Sequence, residues 1–140
     1  MSNTAKKAIR KEKPWGYEIW FAHNTHYAGK ILFIKKGHRY SLQYHEKKEE
    51  SQYLQSGKAK LTFGTDKDNL EEIILEPGDK FDVLPGVIHR VEAIEDATIF
   101  EVSTPDLDDV VKLDDDYGRT GKGNNETLDQ QLSKNNTHSS

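Results

Sequence analysis

Between Trp15 and Val102 the apolar residues come in short runs, many of them alternating with polar ones: YEIWF, KILFI, YSLQYH, SQYLQS, AKLTFG, EEIIL, KFDVLP, IHRVEAI and ATIFEV. The runs are rich in β-branched and aromatic residues, and turn signals at Gly37, Gly57, TDKDN and EPGD fall between many of them. None sustains a helical period for three turns. The pattern predicts about eight antiparallel strands, and strands so closely spaced bury both faces efficiently only as a sandwich or barrel. The expected class is all-β. Residues 106–119, DLDDVVKLDDDYGR, are acidic and read as a short strand or a single turn.

Composition changes the picture at the two ends. The 140 residues leave room for about one domain, but only 34% are hydrophobic and 31% are charged, so part of the chain is expected to lie outside a packed core. Residues 1–12 carry Lys6, Lys7, Arg10 and Lys11 against the single acid Glu12, and read as a flexible basic arm. Residues 120–140 are rich in Gly, Asn, Ser, Thr and Gln, with Leu128 and Leu132 as the only aliphatic residues, and read as a disordered polar tail. A net charge of −4 argues against a nucleic-acid partner. Without cysteine, disulfides, thiolate metal sites and cysteine nucleophiles are excluded. The absence of a long apolar run or a signal-like N-terminus makes a soluble cytoplasmic protein, without a membrane partner, the expectation.

The chemistry concentrates in SLQYHEKKEE, residues 41–50. On a strand, residues two apart share a face at roughly 6.6 Å, so Gln43 and His45 point one way while Leu42 and Tyr44 point the other. A turn at EKKE and an antiparallel return would bring Glu50 alongside His45, with Gly57 closing the second strand. Further on, PGDKFDVLPGVIHRVEA supplies turns at Pro77–Gly78 and Pro85–Gly86 and places His89 at the start of a strand that could run beside the first. Two imidazoles, a carboxylate and an amide oxygen suit zinc, manganese, iron or nickel and leave positions for water or substrate. The same residue types are common on solvated strand faces, so the residues alone leave both readings open. Glu46, Lys47, Lys48 and Glu49 read as an exposed turn.

The order G-x5-Q-x-H-x4-E-x6-G from Gly37 to Gly57, followed by G-x7-G-x2-H from Gly78 to His89, resembles the two motifs of the cupin superfamily. Gln43 stands where the first motif has its first histidine, as in the cupin domain of type II mannose-6-phosphate isomerases. KPWGYE (13–18), SLQYH (41–45) and VVKLDDDYGR (110–119) are similar to the same domain, so the resemblance spans residues 13–119. Two positions depart from the motif, with the proline displaced by one to Pro85 and Ala93 in place of a frequent asparagine. The resemblance implies a small double-stranded β-helix, the cupin or jelly-roll barrel. It also implies one divalent transition metal, zinc foremost, held by Gln43, His45, Glu50 and His89.

The activity it implies is the interconversion of mannose 6-phosphate and fructose 6-phosphate. That reaction moves a proton between C1 and C2 while charge develops on the neighbouring oxygens. A carboxylate such as Glu18 or a lysine such as Lys30 is a candidate proton carrier. Arg39, Arg90 and Arg119 are candidate phosphate or sugar contacts, Arg119 foremost, because an arginine fork binds two phosphate oxygens. The large nucleotidyltransferase domain of bifunctional relatives has no room here. Two other expectations stand beside the isomerase: a non-catalytic metal-binding cupin for a sugar or sugar nucleotide, and an iron-dependent cupin oxygenase. Trp15 and Trp20 are expected in the core or a subunit contact, and His23, His26 and His38 in exposed turns. Cupins generally cover their apolar outer faces by pairing, so a homodimer is expected, with YEIWF as a contact strand.

Overall fold

The computed structural model describes residues 5–138, with side chains through residue 134. Its strands are β1 (Ile9–Lys13), β2 (Gly16–His23), β3 (Ala28–Ile34), β4 (Leu42–Tyr44), β5 (Glu50–Gly64), β6 (Glu71–Leu75), β7 (Lys80–Val83), β8 (Ile88–Ser103), β9 (Val111–Asp114) and β10 (Gly121–Lys122). One helix, α1 (Glu126–His138), follows. No helix among the described residues is long and apolar enough to cross a membrane.

Two long strands organise the barrel. The second half of β8 pairs with β3 on one side and with the first half of β5 on the other, and that part of β5 also pairs with β7. The first half of β8 pairs with β4 and with the second half of β5, which continues to β6, while β4 continues to β9 and β10. Both strands therefore belong to two layers, and the sheet curls into a double-stranded β-helix. The sequence pattern breaks each of them in two, at Gly57 in β5 and between the runs IHRVEAI and ATIFEV in β8. In the structure Gly57 does not close a strand. It sits at a bulge within β5 with φ +90°, and a Cβ there would lie 2.1 Å from the Asp96 carbonyl oxygen, so only glycine lets β5 bend against β8.

Rows across the first layer place the site. Lys30, Glu101 and Gln52 are lateral neighbours; two residues further along the strands come Leu32, Ile99 and Leu54, and then Ile34 and Ala97. Because side chains alternate, all of these face the interior. One end of the barrel is thus closed by aliphatic side chains, joined by Trp15, Tyr40, Leu61 and Val91. Each large aliphatic buried there contributes roughly 1.5–3 kcal/mol. The other end carries charge. In the second layer Lys112, Gln43 and His89 are likewise lateral neighbours.

The two ends of the chain differ from expectation. Residues 9–12 are not a flexible arm: they form most of β1, paired with β2 from Ile9↔Trp20 to Lys13↔Gly16, with Arg10 stacked 3.8 Å over the Tyr17 ring. Residues 1–4 lie outside the described residues. The expected disordered tail contains β10 and α1, and α1 packs on β1 through Lys13–Asp129 at 2.8 Å and Lys11–Glu126 at 3.0 Å. Composition underestimates both segments because their anchors are backbone ladders and buried ion pairs, not apolar runs.

Candidate metal centre

His45 follows β4, Glu50 opens β5 and His89 lies second in β8. Gln43 and His89 are directly paired, so β8 does run beside the first strand. Glu50 reaches His45 by another route: β5 is not paired with β4, and the largely exposed segment 46–49 links them. Asp109 shapes that link. Its carboxylate accepts the backbone N–H groups of Glu46, Lys47 and Lys48, and its carbonyl oxygen accepts His45 Nδ1–H at 2.6 Å. The acidic run before β9 thus supplies the carboxylate that holds the 46–48 loop.

His89 Nδ1–H donates in the same way to the Val87 carbonyl, at 3.0 Å. A carbonyl only accepts, so both rings carry their proton on Nδ1 and present the bare Nε2 inward. His45 Nε2 lies 2.7 Å and His89 Nε2 3.8 Å from Glu50 Oε1. These three atoms lie within 4.8 Å of one another, are buried, and have no aligned hydrogen-bond partner. Buried lone pairs that converge without a donor are costly, and a divalent cation satisfies all three at once. The residues present fit a metal of the borderline class. Gln43 is half-buried and lines the same cavity as His45, with its Oε1 accepting the Ser41 hydroxyl at 2.6 Å.

Charge around the triad is graded. Burial opposes ionisation of Glu50, but the Lys48 ammonium at 3.6 Å leads the groups that hold its carboxyl well below the usual range. Burial pushes the His89 imidazole down to about 4, which keeps it neutral and ligand-competent. Burial, reinforced by the Glu50 charge, pushes the Glu101 carboxyl up to about 8. Gln52 Nε2 donates to Glu50 Oε2 at 2.6 Å and to Glu101 Oε1 at 3.2 Å, linking the two. Lys48, expected in an exposed turn, is buried between these carboxylates, whereas Glu46, Lys47 and Glu49 are exposed.

The other expected residues divide. Glu18 and Lys30 are both buried, 3.2 Å apart, and line the cavity with His45. Burial works against the Glu18 charge, but Lys30 and Lys13 more than offset it and lower the carboxyl to about 2. Arg119 also lines this cavity, its guanidinium on Asp115 at 2.8 Å and on Asp129 at 3.1 Å. Arg39 does not reach the cavity: it forms a bidentate contact with Asp116 at the surface. Arg90 follows His89, so it points to the opposite face, where it binds the Tyr40 carbonyl and Asp114. Trp15 is in the core, Trp20 is half-buried, His23 and His26 are exposed, and His38 contacts the Tyr117 hydroxyl at 2.6 Å.

Glu101, Gln52, Lys48, Lys13 and Lys112 belong to this polar end and were not singled out by sequence. For two of them a signal exists: Glu101 shares a face with Ile99 and Ala97, and Gln52 with Leu54, so each is a polar residue in register with core positions. Beyond the cavity, a cleft of about 780 Å³ opens along Lys13, Glu18, Trp20 and Lys30.

The curled two-layer barrel with two histidines and a glutamate converging at its polar end is that of a cupin. Within that class the chain belongs to the mannose-6-phosphate isomerase C-terminal family, which it matches over residues 2–115. A comparison with curated proteins finds no match. Among solved structures it is similar to the capsular polysaccharide assembling protein CapF from Staphylococcus aureus, with 17% identity and a TM-score of 0.69 over 80% of this chain and 33% of that one. It is also similar to Bacillus subtilis oxalate decarboxylase, a protein with Mn(II) centres, with 23% identity and a TM-score of 0.63 over 77% of this chain and 30% of that one. The chain thus spans about a third of the length of these structures, and at such identities the likeness speaks to the fold.

Proposed function

We propose that the protein is a metal-dependent sugar-phosphate aldose–ketose isomerase of the mannose-6-phosphate type. The observation that carries this reading is the convergence of His45 Nε2, Glu50 Oε1 and His89 Nε2, buried and unpartnered, with His45 opening onto a cavity that Lys30, Glu18, Glu101 and Arg119 also line. Gln43 would complete the ligand set. A bound divalent metal, zinc foremost, would polarise the oxygens on C1 and C2 as charge develops on them.

The chain's own residues supply the rest. Arg119, with Lys13 beside it, would bind the phosphate. Proton movement between C1 and C2 needs a group titrating near the working pH. Glu18, held low by its lysines, is a weak base and serves better to position Lys30. Glu101 is the other carboxyl at this end, and burial raises it rather than lowers it. The test is isomerisation of mannose 6-phosphate to fructose 6-phosphate, with a wider screen of hexose and pentose phosphates. Activity should vanish on chelation and return with added metal. A metal-loaded protein inert on all of them sinks the reading.

A second reading, a metal-binding cupin that holds a sugar or sugar nucleotide without turnover, is favoured by the width of the outer cleft and by Trp20 in its wall, an aromatic on which a ring could stack. Binding without turnover would support it. In either case we expect a homodimer, because Phe100 stacks on Tyr53 beside Val102 on an exposed outer face.

A further inference from the structure

We propose that Lys13, Lys112 and Arg119 form a binding site for a phosphomonoester, and that the chain's own α1 fills it with the Asp129 carboxylate. Among the described residues of α1, Asp129 is the one buried side chain; Leu128 and Leu132 are only half-buried. A helix docked for stability alone would bury its aliphatic face. This one instead buries a charge. Asp129 Oδ2 meets Lys13 Nζ at 2.8 Å and Asp129 Oδ1 meets Arg119 Nη1 at 3.1 Å, two cations holding one carboxylate from two sides.

The segment leading into the helix completes the pattern. Lys112 Nζ donates to the Gly123 carbonyl at 2.8 Å and to Asn124 Oδ1 at 3.2 Å, so residues 123–129 supply oxygen acceptors to all three cations. Asp115 and Glu18 also face these cations, Asp115 on Arg119 and Glu18 near Lys13, and remain when α1 leaves. A phosphate dianion offers three acceptor oxygens and up to twice the charge of Asp129, so it can compete for the same donors.

Size gives an independent reason to assign a displaceable occupant. The cavity shared by Lys13, Lys112, Arg119 and His45 holds about 50 Å³, far below the roughly 300–1,000 Å³ of a small-molecule site. Asp129 and Glu126 line the large outer cleft next to it. With α1 docked, a sugar phosphate reaches the cleft but not His45. Undocking uncovers Lys13 and Arg119, the cations that Asp129 holds.

The inference rests on the sugar-phosphate reading for the identity of the ligand, so its test uses inorganic phosphate and no turnover; an inert isomerase and an absent anion site then give different results. Phosphate affinity of the full chain is measured by titration calorimetry at constant ionic strength. Asp129→Asn should bind phosphate about tenfold more tightly than wild type, since the competing occupant is weakened, and adding Arg119→Gln should remove the gain. In wild type, saturating phosphate, but not chloride, should accelerate amide hydrogen exchange across residues 126–134. Unchanged affinity in a folded Asp129→Asn variant, or wild-type exchange in α1 that is insensitive to phosphate, overturns the proposal. If Asp129→Asn fails to fold, the wild-type exchange result decides alone.

Discussion

Replacing Glu18 by glutamine removes one charge from the polar end of the barrel while keeping its shape. Glu18 is buried, accepts the Trp20 indole N–H at 2.8 Å and lies 3.2 Å from Lys30 Nζ. Its carboxyl is lowered from 4.5 to about 2: burial opposes the shift, and Lys30 and Lys13 more than offset it. A group lowered on folding contributes stability above its unfolded pKa, and that contribution is lost as pH falls through the folded one. The interval corresponds to about 3 kcal/mol at pH 7, of which about 2 kcal/mol is gone by pH 3. Urea unfolding of wild type and Glu18→Gln at both pH values reads this directly, from midpoint and slope. The variant should be less stable by about 3 kcal/mol at pH 7 and by only about 1 kcal/mol at pH 3. A deficit equal at the two pH values, or absent at pH 7, refutes the claim that Glu18 is held ionised by Lys30 and Lys13.

Gly57→Ala should cost about 3–5 kcal/mol in thermal or urea unfolding, combining a positive φ with a backbone clash that cannot relax; a loss below about 1 kcal/mol would mean that β5 bends elsewhere. Sedimentation should give twice the 16.0 kDa chain mass, and Val102→Asp or Phe100→Asp should halve it; a monomeric wild type contradicts the pairing of outer faces. Asp109→Ala should loosen the 45–48 loop by removing three backbone acceptor contacts, weakening metal retention at least tenfold in a chelator competition, whereas retention equal to wild type would show that the loop holds His45 without it.

Much of this molecule is legible in the chain. The alternation in YSLQYH and IHRVEAI, with the turn at Pro85–Gly86, predicts strands that turn Gln43, His45 and His89 inward, and the structure pairs Gln43 with His89 while His45 lies just past the end of β4. What alternation cannot show is which strand lies beside which. Glu50 meets His45 across the barrel, not along a hairpin, because β5 pairs with β8. Gly57 reads locally as a stop, yet the ladder to β8 continues through it as a bulge. Arg90 sits in a family-like stretch, but strand alternation already turns it away from His89. The helix α1 is least visible. Its hold on the barrel is Asp129 on Lys13 and Arg119, residues 116 and 10 positions away in the chain, and no local pattern announces an ion pair of that kind.

The most direct measurement is metal content by elemental analysis of the untagged full chain, with His45→Ala and His89→Ala alongside wild type. The account predicts about one transition-metal ion per chain in wild type, lost in both variants while their strand content by circular dichroism is kept. A wild type that holds no metal and takes none up on reconstitution, or variants that retain it undiminished, would contradict the assignment of His45, Glu50 and His89 as a metal centre.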